Sequence, residues 1–372
     1  MGEPGSETVM SVLGPVTLDR LGVTLMHEHI LNDCSCWWRG HDPSFKSPIR
    51  DQPVSPAILS QLRNDPFASL DNCALDDEAM AVAELMQFAS EGGATVVDPT
   101  CLGIGRSPEA LARVARATGL NIIMGAGYYL ESSHPEEVAG MRDRDVAALL
   151  VEEHRRGVGP ERVPIGLIGE IGVSAGFTEA ERKVVRGSAM AAARTGLPLM
   201  IHLPGWERLG HAVLDEIAAC GLALERVILC HMNPSWRDLD YQTALADRGA
   251  FLEYDMVGMD FWYDDQGVQC PSDEENAAAV ARLARSGYRD KLLLSQDVFV
   301  KMMLSHFGGN GYAHIQRHFL PRLLRHGLTE ADLQALMVEN PLRALRCDGA
   351  PGDVAPGGVA AGDVDDGEGR TR

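Results

Sequence analysis

The chain has 372 residues, of which 45% are hydrophobic, and a formal net charge of −20 at pH 7. This length suits one barrel of about 250 residues with long loops, or two ordinary domains. Because no break in composition divides the chain, we predict a single domain over residues 1–348. The acidic charge argues against nucleic acid and anionic membranes as partners, since phosphate groups are bound by clustered Lys and Arg. We expect a small-molecule substrate instead.

The sequence contains no segment that predicts export or insertion into a membrane. Residues 1–7 lack the basic and apolar stretches of a secretory signal, and no run of about 18 apolar residues occurs. We therefore expect a cytoplasmic protein. Residues 349–372 are rich in Gly, Ala and Asp and cannot bury enough apolar surface to offset the entropy of ordering. They predict a disordered acidic tail.

Eight cysteines are scattered along the chain without a CxxC pair. In a long chain without an export signal, this pattern predicts reduced thiols and no disulfide framework. Cys34 and Cys36 lie just beyond the first predicted strand, where an adventitious metal site is the minor alternative.

Short apolar runs alternate with helix-length segments along the chain, which is typical of βα units around a parallel sheet. Eight apolar runs predict strands at residues 23–30, 94–98, 121–126, 165–171, 198–203, 227–231, 250–255 and 291–296. Amphipathic stretches between them predict helices at residues 76–91, 107–118, 136–156, 178–195, 207–220 and 272–286. Eight strands with intervening helices predict an α/β fold, a (β/α)8 TIM barrel.

The competing architecture is a doubly wound sheet, which usually carries a Gly-rich phosphate loop after its first strand. Here the first strand runs into His27, Glu28 and His29, and no GxGxxG follows it. The barrel is therefore favoured over a nucleotide-binding sheet.

Three connections are too long to be simple links, namely residues 31–75, 256–272 and 298–314. All three follow strands, so in a barrel they rise from the catalytic face and build the substrate pocket. Their aromatic residues, which include Trp37, Trp38, Phe261, Trp262 and Tyr263, suggest an apolar substrate portion. The alternative is an aromatic lid that packs only for stability.

Five of the predicted strands end on residues that bind metals. His27 and His29 end the first strand and share a face because they are two residues apart. A lone histidine pair in an apolar strand can equally be two hydrogen-bonded core residues, so the metal interpretation depends on the other strand ends. Those ends carry Glu170, His202, His231 and Asp297.

Alternation along the strands predicts that each ligand points inward together with an apolar neighbour. The expected pairs are Leu25 with His27, Ile168 with Glu170, Met200 with His202, Leu229 with His231, and Leu293 with Asp297.

Four histidines and two carboxylates exceed the needs of one tetrahedral zinc, which favours two ions about 3.5 to 4 Å apart. We assign His27, His29 and Asp297 to one ion, His202 and His231 to the other, and Glu170 as the bridge. A hydroxide between the ions would be the nucleophile. Asp297 is the catalytic candidate to take its proton and pass it to the leaving group.

From residue 14 to residue 346 the chain resembles the phosphotriesterase family of the amidohydrolase superfamily. The resemblance rests on the motifs at residues 21–29, 103–106, 125–129, 169–172 and 308–312, and on His202, His231 and Asp297. It implies a (β/α)8 barrel with a binuclear, usually zinc, centre held by the six residues named above. We therefore expect two divalent ions, zinc first with manganese or cobalt as alternatives, and also a homodimer.

Two departures from the family pattern affect the chemistry. Founding members bridge their metals with a carboxylated lysine, whereas Glu170 is similar to the glutamate-bridged branch of the family. The four lysines of this chain all lie outside the fourth strand. Many members also carry an acidic residue two positions after the fourth histidine to relay the proton outward. Asn233 stands there in this chain and cannot accept that proton, so the relay stays open.

The resemblance implies a hydrolase acting on a phosphotriester, lactone, carboxylic ester or amide. Because glutamate-bridged members act more often on carbon acyl bonds, we predict hydrolysis of a carboxylic ester, lactone or amide. A phosphotriesterase is the first alternative, and a non-catalytic metal-binding barrel is the second. Tyr129, Trp262 and Lys301 are the predicted substrate contacts, whereas Arg106 is expected in a structural salt bridge.

Overall fold

A computed structural model of the chain describes residues 8–40, 42 and 44–347. Within these residues, eight parallel strands form one sheet in which each strand is a neighbour of the next along the chain. The strands are β1 (Val23–Leu25), β2 (Gly93–Asp98), β3 (Asn121–Ala126), β4 (Leu167–Gly172), β5 (Leu199–His202), β6 (Val227–Leu229), β7 (Phe251–Tyr254) and β8 (Leu292–Leu294). The eight predicted strands are confirmed, and the fold is a TIM barrel. The predicted tail, residues 349–372, lies outside the described residues.

A helix follows each strand and packs on the outside of the sheet. The helices are α1 (Glu78–Ser90), α2 (Pro108–Thr118), α3 (Asp143–Arg156), α4 (Glu179–Thr195), α5 (Gly210–Ala219), α6 (Leu239–Asp247), α7 (Asp273–Leu283) and α8 (Leu320–Arg325). Two short helices, Glu330–Gln334 and Asn340–Leu345, complete the carboxyl-terminal end of the described chain.

Local sequence signals explain where these helices begin and end. Thr178 accepts a hydrogen bond from the backbone of Glu181, and the Glu181 side chain bonds back, which is a capping box at the start of α4. The predicted helix 136–156 is two helices instead, because the first ends at Gly140 and Met141 is extended. Glycine is a poor helix former, and the chain turns there before α3 begins.

Two apolar layers hold the barrel together. The inner layer fills the barrel with side chains such as Met26, Leu167 and Ile228, and Val9 of an amino-terminal hairpin closes it from below. The larger outer layer lies between the strands and the helices. Among the described residues, no helix is both long and apolar enough to cross a membrane.

The predicted alternation is right for two of the five ligand strands. Met200 and Leu293 belong to the inner layer, as expected for strands that end on His202 and Asp297. Leu25, Ile168 and Leu229 pack in the outer layer instead, so the predicted inward direction is wrong for them.

The backbone explains these three errors. β1 ends at Leu25 and β6 ends at Leu229, so His27 and His231 lie beyond the regular strand, where alternation no longer applies. His231 also adopts a left-handed φ of 59°, which redirects its side chain. In β4 the register shifts between Ile168 and Ile171, on either side of Glu170.

The sheet closes between β8 and β1 through the residues that follow these strands. The backbone N–H of Asp297 donates to the carbonyl of His27 at 3.1 Å, and that of His29 donates to the carbonyl of Val298 at 3.1 Å. Closure therefore occurs at the carboxyl ends of the strands, and it fixes the positions of three predicted ligands.

Candidate metal centre

The six predicted ligands converge at the carboxyl ends of the barrel strands. The histidines and carboxylates lie on or directly after five strands: His27 and His29 after β1, Glu170 in β4, His202 at the end of β5, His231 after β6 and Asp297 after β8. Each side chain is at most 14% exposed, and the two most exposed, His202 and Asp297, open onto a cavity. The structure thus brings together every residue that the sequence assigned to a metal.

Glu170 lies between the histidines and turns its two oxygens to different groups. Its Oε1 is 3.3 Å from His29 Nε2. Its Oε2 is 3.1 Å from His202 Nδ1 and 3.8 Å from His231 Nε2. The ligands form a first group of His27, His29 and Asp297 and a second group of His202 and His231. His27 Nε2 lies 3.5 Å from the same Oε2, so His27 lies between the two groups. A carboxylate in this position can share its oxygens between two cations.

Asp297 completes the first group from the opposite side. Its Oδ1 lies 3.5 Å from His29 Nε2 and 3.8 Å from His27 Nε2. One ligand atom from each of these three residues falls within 4.8 Å of the others, close enough to hold a metal ion. In the second group, His231 Nε2 and His202 Nδ1 are 2.7 Å apart.

The outer nitrogens of the histidines have partners that orient the rings. His29 Nδ1 is hydrogen-bonded to Thr100 Oγ1 at 2.7 Å. His202 Nε2 is 3.4 Å from the hydroxyl of Tyr129, and His27 Nδ1 is 3.4 Å from Glu253 Oε2. Such partners fix which nitrogen of a histidine faces a metal.

Asp255 holds His231 through both its backbone and its ring. Its carboxylate accepts from the His231 backbone N–H at 2.8 Å and lies 3.0 Å from Nδ1 of the ring. These contacts stabilise the left-handed φ of His231, a conformation that is rare outside glycine. Asp297 shares that conformation with a φ of 50°. Two ligand positions thus carry backbone strain that their surroundings offset.

The donor set fits divalent cations. His27 Nε2 is buried and has no hydrogen-bond partner, although two carboxylates lie within 4 Å of it. A buried polar atom without a partner is costly, and a cation bound there would remove that cost. Imidazole nitrogens with carboxylate oxygens are the ligands that zinc prefers in catalytic sites.

Charge inside the cluster favours a cation as well. Burial opposes the charged form of His231, but Asp255 outweighs burial and raises the pKa of His231 to about 10. Burial also opposes ionisation of Glu170, but His27 and His202 outweigh it and hold the pKa of this carboxyl well below its usual value. Metal ions therefore compete with protons for these histidine nitrogens.

Asp297 differs from Glu170 in its environment. Burial raises the pKa of Asp297 to about 6, although His27 and His231 act in the opposite direction. The carboxylate borders the cavity, so it can exchange a proton with a bound molecule. The proton-transfer role of Asp297 stays a prediction.

A cavity of about 670 Å³ opens above the ligands. Residues that follow all eight strands line it, and six aromatic side chains come from the loops that follow β1, β3, β5, β7 and β8. The aromatic residues are Trp37, Phe67, Tyr129, Trp206, Tyr263 and Phe299. Its volume and apolar lining are typical of a site for a small organic molecule.

The three predicted substrate contacts lie in different places. Tyr129 lines the cavity, next to His202. Trp262 does not line it among the described residues, and its neighbour Tyr263 does. The Lys301 ammonium donates to Asp71 at 2.8 Å, away from the lining residues, so it is engaged in a salt bridge. Arg106 forms the expected structural salt bridge, a bidentate pair with Glu153.

Sequence reasoning missed the residues that support the ligands from behind. Glu253 is fully buried beside His27, and Cys230 donates its S–H to Glu253 Oε2 at 3.2 Å. The sequence does contain an indication of Glu253. Glu253 and Asp255 are two carboxylates two residues apart in the seventh predicted strand, so they share a face of that strand. Trp206 gave no such signal, because it follows the fifth strand in a connection of ordinary length.

Asn233 has a structural role in this chain. Its amide donates to Asn276 at 3.0 Å, and its carbonyl accepts from the backbone of Met256 at 3.1 Å. It is fully buried and is not among the described residues that line the cavity. Both hydrogen-bonding ends of the side chain are occupied, so Asn233 supplies no path for the proton.

A barrel of eight parallel strands, with a cluster of His, Glu and Asp that could hold a metal ion at the carboxyl ends, has the features of a barrel enzyme with its site on the catalytic face. The sequence profile of the phosphotriesterase family matches residues 7–345, and the chain belongs to that family of hydrolases.

Relatives span nearly the whole chain. An N-acetyltaurine hydrolase from Tetraodon nigroviridis is 33% identical over 341 residues, covering 90% of this chain and 97% of the relative. A resiniferatoxin-binding protein from Rhodobacter sphaeroides is 55% identical with a TM-score of 0.90, covering 92% of this chain and 95% of that structure. A phosphotriesterase homology protein from Escherichia coli, with phosphate in its active site, is 27% identical with a TM-score of 0.72. That match covers 88% of this chain and 100% of the structure.

Proposed function

We propose that the chain is a binuclear metal-dependent hydrolase that cleaves a carboxylic ester, lactone or amide bond. One observation carries the proposal: Glu170 turns one oxygen to His29 and the other to His202 and His231, at 3.3, 3.1 and 3.8 Å. A glutamate placed in this way suits a bridge between two ions. Zinc is the first candidate for both ions, and manganese and cobalt are the alternatives.

When bound, two divalent ions supply Lewis acidity, which polarises the substrate carbonyl and makes water nucleophilic at neutral pH. The residues of the chain do the rest. Asp297 borders the cavity, where its carboxylate accepts the proton of the attacking water and delivers it to the leaving group. The hydroxyl of Tyr129, at the cavity wall beside His202, is placed to donate a hydrogen bond to a substrate oxygen.

Three features support an acyl bond over a phosphotriester. Glu170 would bridge the ions without competition from a lysine, because Lys183 and Lys291 donate to backbone carbonyls elsewhere, Lys301 pairs with Asp71 and Lys46 is exposed. The N-acetyltaurine hydrolase that resembles this chain is named for cleavage of an amide. The resiniferatoxin-binding relative is named for an organic ligand, which accords with the large apolar cavity.

The test is a substrate panel assayed with protein loaded separately with zinc, manganese or cobalt. Nitrophenyl esters, lactones, N-acyl amides and a paraoxon-like phosphotriester are compared by kcat/KM. We expect the best acyl substrate to exceed the phosphotriester by at least about tenfold, which is a gap of about 1.4 kcal/mol in transition-state binding.

Two results would contradict the proposal. A phosphotriester that gives the highest kcat/KM would assign the chain to organophosphate hydrolysis. Full metal binding without turnover of any compound would favour a non-catalytic metal-binding barrel. The metal-free protein is the control, because any rate that persists after chelation does not come from this centre.

A further inference from the structure

We propose that the substrate is uncharged at the end remote from the metal centre and carries an aromatic or similarly bulky apolar group there. The inference rests on the proposed function, because it assumes that the scissile bond lies at the metal centre. The inference adds that the cavity selects substrates by their charge, a property that the chemistry of the metal centre does not determine.

The first argument is a continuous aromatic wall. Phe67 stacks on Trp37 with ring centroids 5.8 Å apart and an interplanar angle of 12°. It also packs against Tyr263 at 6.0 Å and Phe299 at 6.2 Å, and Tyr263 meets Trp206 edge-on at 5.6 Å. These five rings come from loops after four different strands, yet they form one surface. Such a surface favours an aromatic or apolar group by burial and by ring contacts.

The second argument is the charge of the lining. Among the described residues, the cavity is lined by no Lys or Arg, whereas Glu131 and Glu181 line it beyond the metal ligands. Two basic side chains of the same loops are engaged elsewhere, since Arg39 pairs with Asp65 at 2.9 Å and Lys301 pairs with Asp71. An anionic group inside this cavity would lose its hydration and meet carboxylates in place of a partner.

A cationic substrate is disfavoured by the way these carboxylates are used. Glu181 accepts from Ser174 Oγ at 2.9 Å and from the backbone N–H groups of Ser174, Thr178 and Glu131, so its oxygens are occupied. Glu131 is exposed at the mouth, where an ion pair with a ligand contributes little. The cavity therefore suits a neutral group better than a charge of either sign.

The kinetic test uses three nitrophenyl esters whose acyl chains have equal length and end in a phenyl, a carboxylate or an ammonium group. With metal-loaded protein, we expect the phenyl ester to exceed each charged ester in kcat/KM by at least about tenfold, the usual discrimination of an apolar pocket. A charged ester that equals or exceeds the phenyl ester would overturn the proposal. N-acetyltaurine, whose sulfonate is anionic, is expected to be a poor substrate in the same assay.

A binding measurement separates this inference from the proposed function. Benzyl alcohol carrying a para-methyl group and its para-sulfonate analogue are titrated into metal-loaded protein. Intrinsic tryptophan fluorescence, to which Trp37 and Trp206 of the cavity wall contribute, reports occupancy. We expect the neutral compound to bind at least about tenfold more tightly. This result can hold even when no ester is hydrolysed, which would reject the proposed function alone. Equal or tighter binding of the sulfonate would reject the charge selection alone.

A pair of matched variants tests whether the charge of the cavity lining causes the selection against charged substrates. Gln266 lines the cavity and is exposed, whereas Gln269 lies on the same hairpin outside the lining. Gln266→Lys should raise kcat/KM for the carboxylate ester relative to the phenyl ester by about two- to fivefold, the worth of an exposed ion pair. Gln269→Lys should leave the ratio unchanged. An equal effect of both variants, or of neither, would contradict control by the charge of the lining.

Discussion

The carboxylate of Glu28 accepts a hydrogen bond from Ser295 Oγ at 2.8 Å and thereby joins the two ends of the barrel sheet. The same oxygen accepts from the backbone of Gln296 at 2.9 Å, and the second oxygen accepts from the backbone of Val298 at 2.9 Å. Ser295 Oγ in turn accepts from the backbone N–H of His27 at 2.8 Å. Glu28 lies between His27 and His29, so one side chain closes the barrel and positions two of the candidate metal ligands.

The first prediction concerns this closure. Glu28→Gln can keep the oxygen that faces Ser295, but it sets an amide N–H₂ against the backbone N–H of Val298. One buried hydrogen bond is lost and two donors face each other, so the free energy of unfolding should fall by about 1 to 3 kcal/mol. Chemical denaturation of metal-loaded protein measures this change. Glu179→Gln is the control, because Glu179 is 87% exposed and a substitution there should cost at most about 0.5 kcal/mol. Equal stability of the two variants would show that Glu28 does not close the barrel.

The second prediction concerns the bridge. Glu170→Gln replaces one ligand oxygen with an amide nitrogen that does not bind a metal, so the variant should hold one ion or none where the parent protein holds two. Elemental analysis after gentle dialysis gives the number. Glu131→Gln is the matched control, since it removes a carboxylate from the cavity wall without touching a ligand, and it should retain both ions. Full metal content in Glu170→Gln would rule out the bridge.

Bicarbonate separates the two kinds of bridge known in this family. If Glu170 bridges the ions with its own carboxylate, metal loading in buffers depleted of carbon dioxide should yield the same specific activity as loading with bicarbonate. A requirement for bicarbonate would point to a carboxylated lysine and would contradict the assignment of Glu170.

The strand ends could be predicted from the sequence, whereas the directions of the side chains were predicted correctly for only two of the five strands. Each ligand stands next to an apolar run, and in a barrel the ends of such runs meet whatever the details of the sheet. Direction depends on the last two or three backbone dihedrals of each strand. The left-handed φ of His231 is stabilised by Asp255 from the next strand, and that contact exists only in the folded barrel.

The aromatic residues of the cavity wall could be predicted only in part, because their directions also depend on the folded backbone. Long loops on the catalytic face indicated an aromatic pocket, and Trp37 and Tyr263 do line it. Which ring of a pair faces the cavity depends on how the loop folds. In the short hairpin at residues 262–269, Tyr263 turns inward and Trp262 does not line the cavity. Trp206 comes from a short loop and enters the wall through contact with Tyr263.

The third prediction distinguishes two roles of Asp255, the positioning of His231 and the transfer of the proton. This residue is fully buried behind His231 and is not among the described residues that line the cavity, so it positions a ligand and does not transfer the proton. Asp255→Asn should weaken metal affinity by about 10- to 100-fold, the usual effect of removing the partner of a ligand histidine. Competition with a chelator measures the affinity, and excess metal should restore most of kcat. A variant that binds metal normally but stays inactive would make Asp255 the proton acceptor.

The fourth prediction concerns Asp297, which lies in the cavity and turns one oxygen to His27 and His29. Asp297→Asn keeps an oxygen of nearly the same shape for a metal but cannot take a proton from the attacking water. We expect kcat to fall by about 10² to 10⁴-fold, the usual contribution of a positioned acid or base. Metal content measured on the same sample serves as the control, because a loss of ions would explain the same fall in rate. Activity near that of the parent protein, with the ions in place, would show that another group carries the proton.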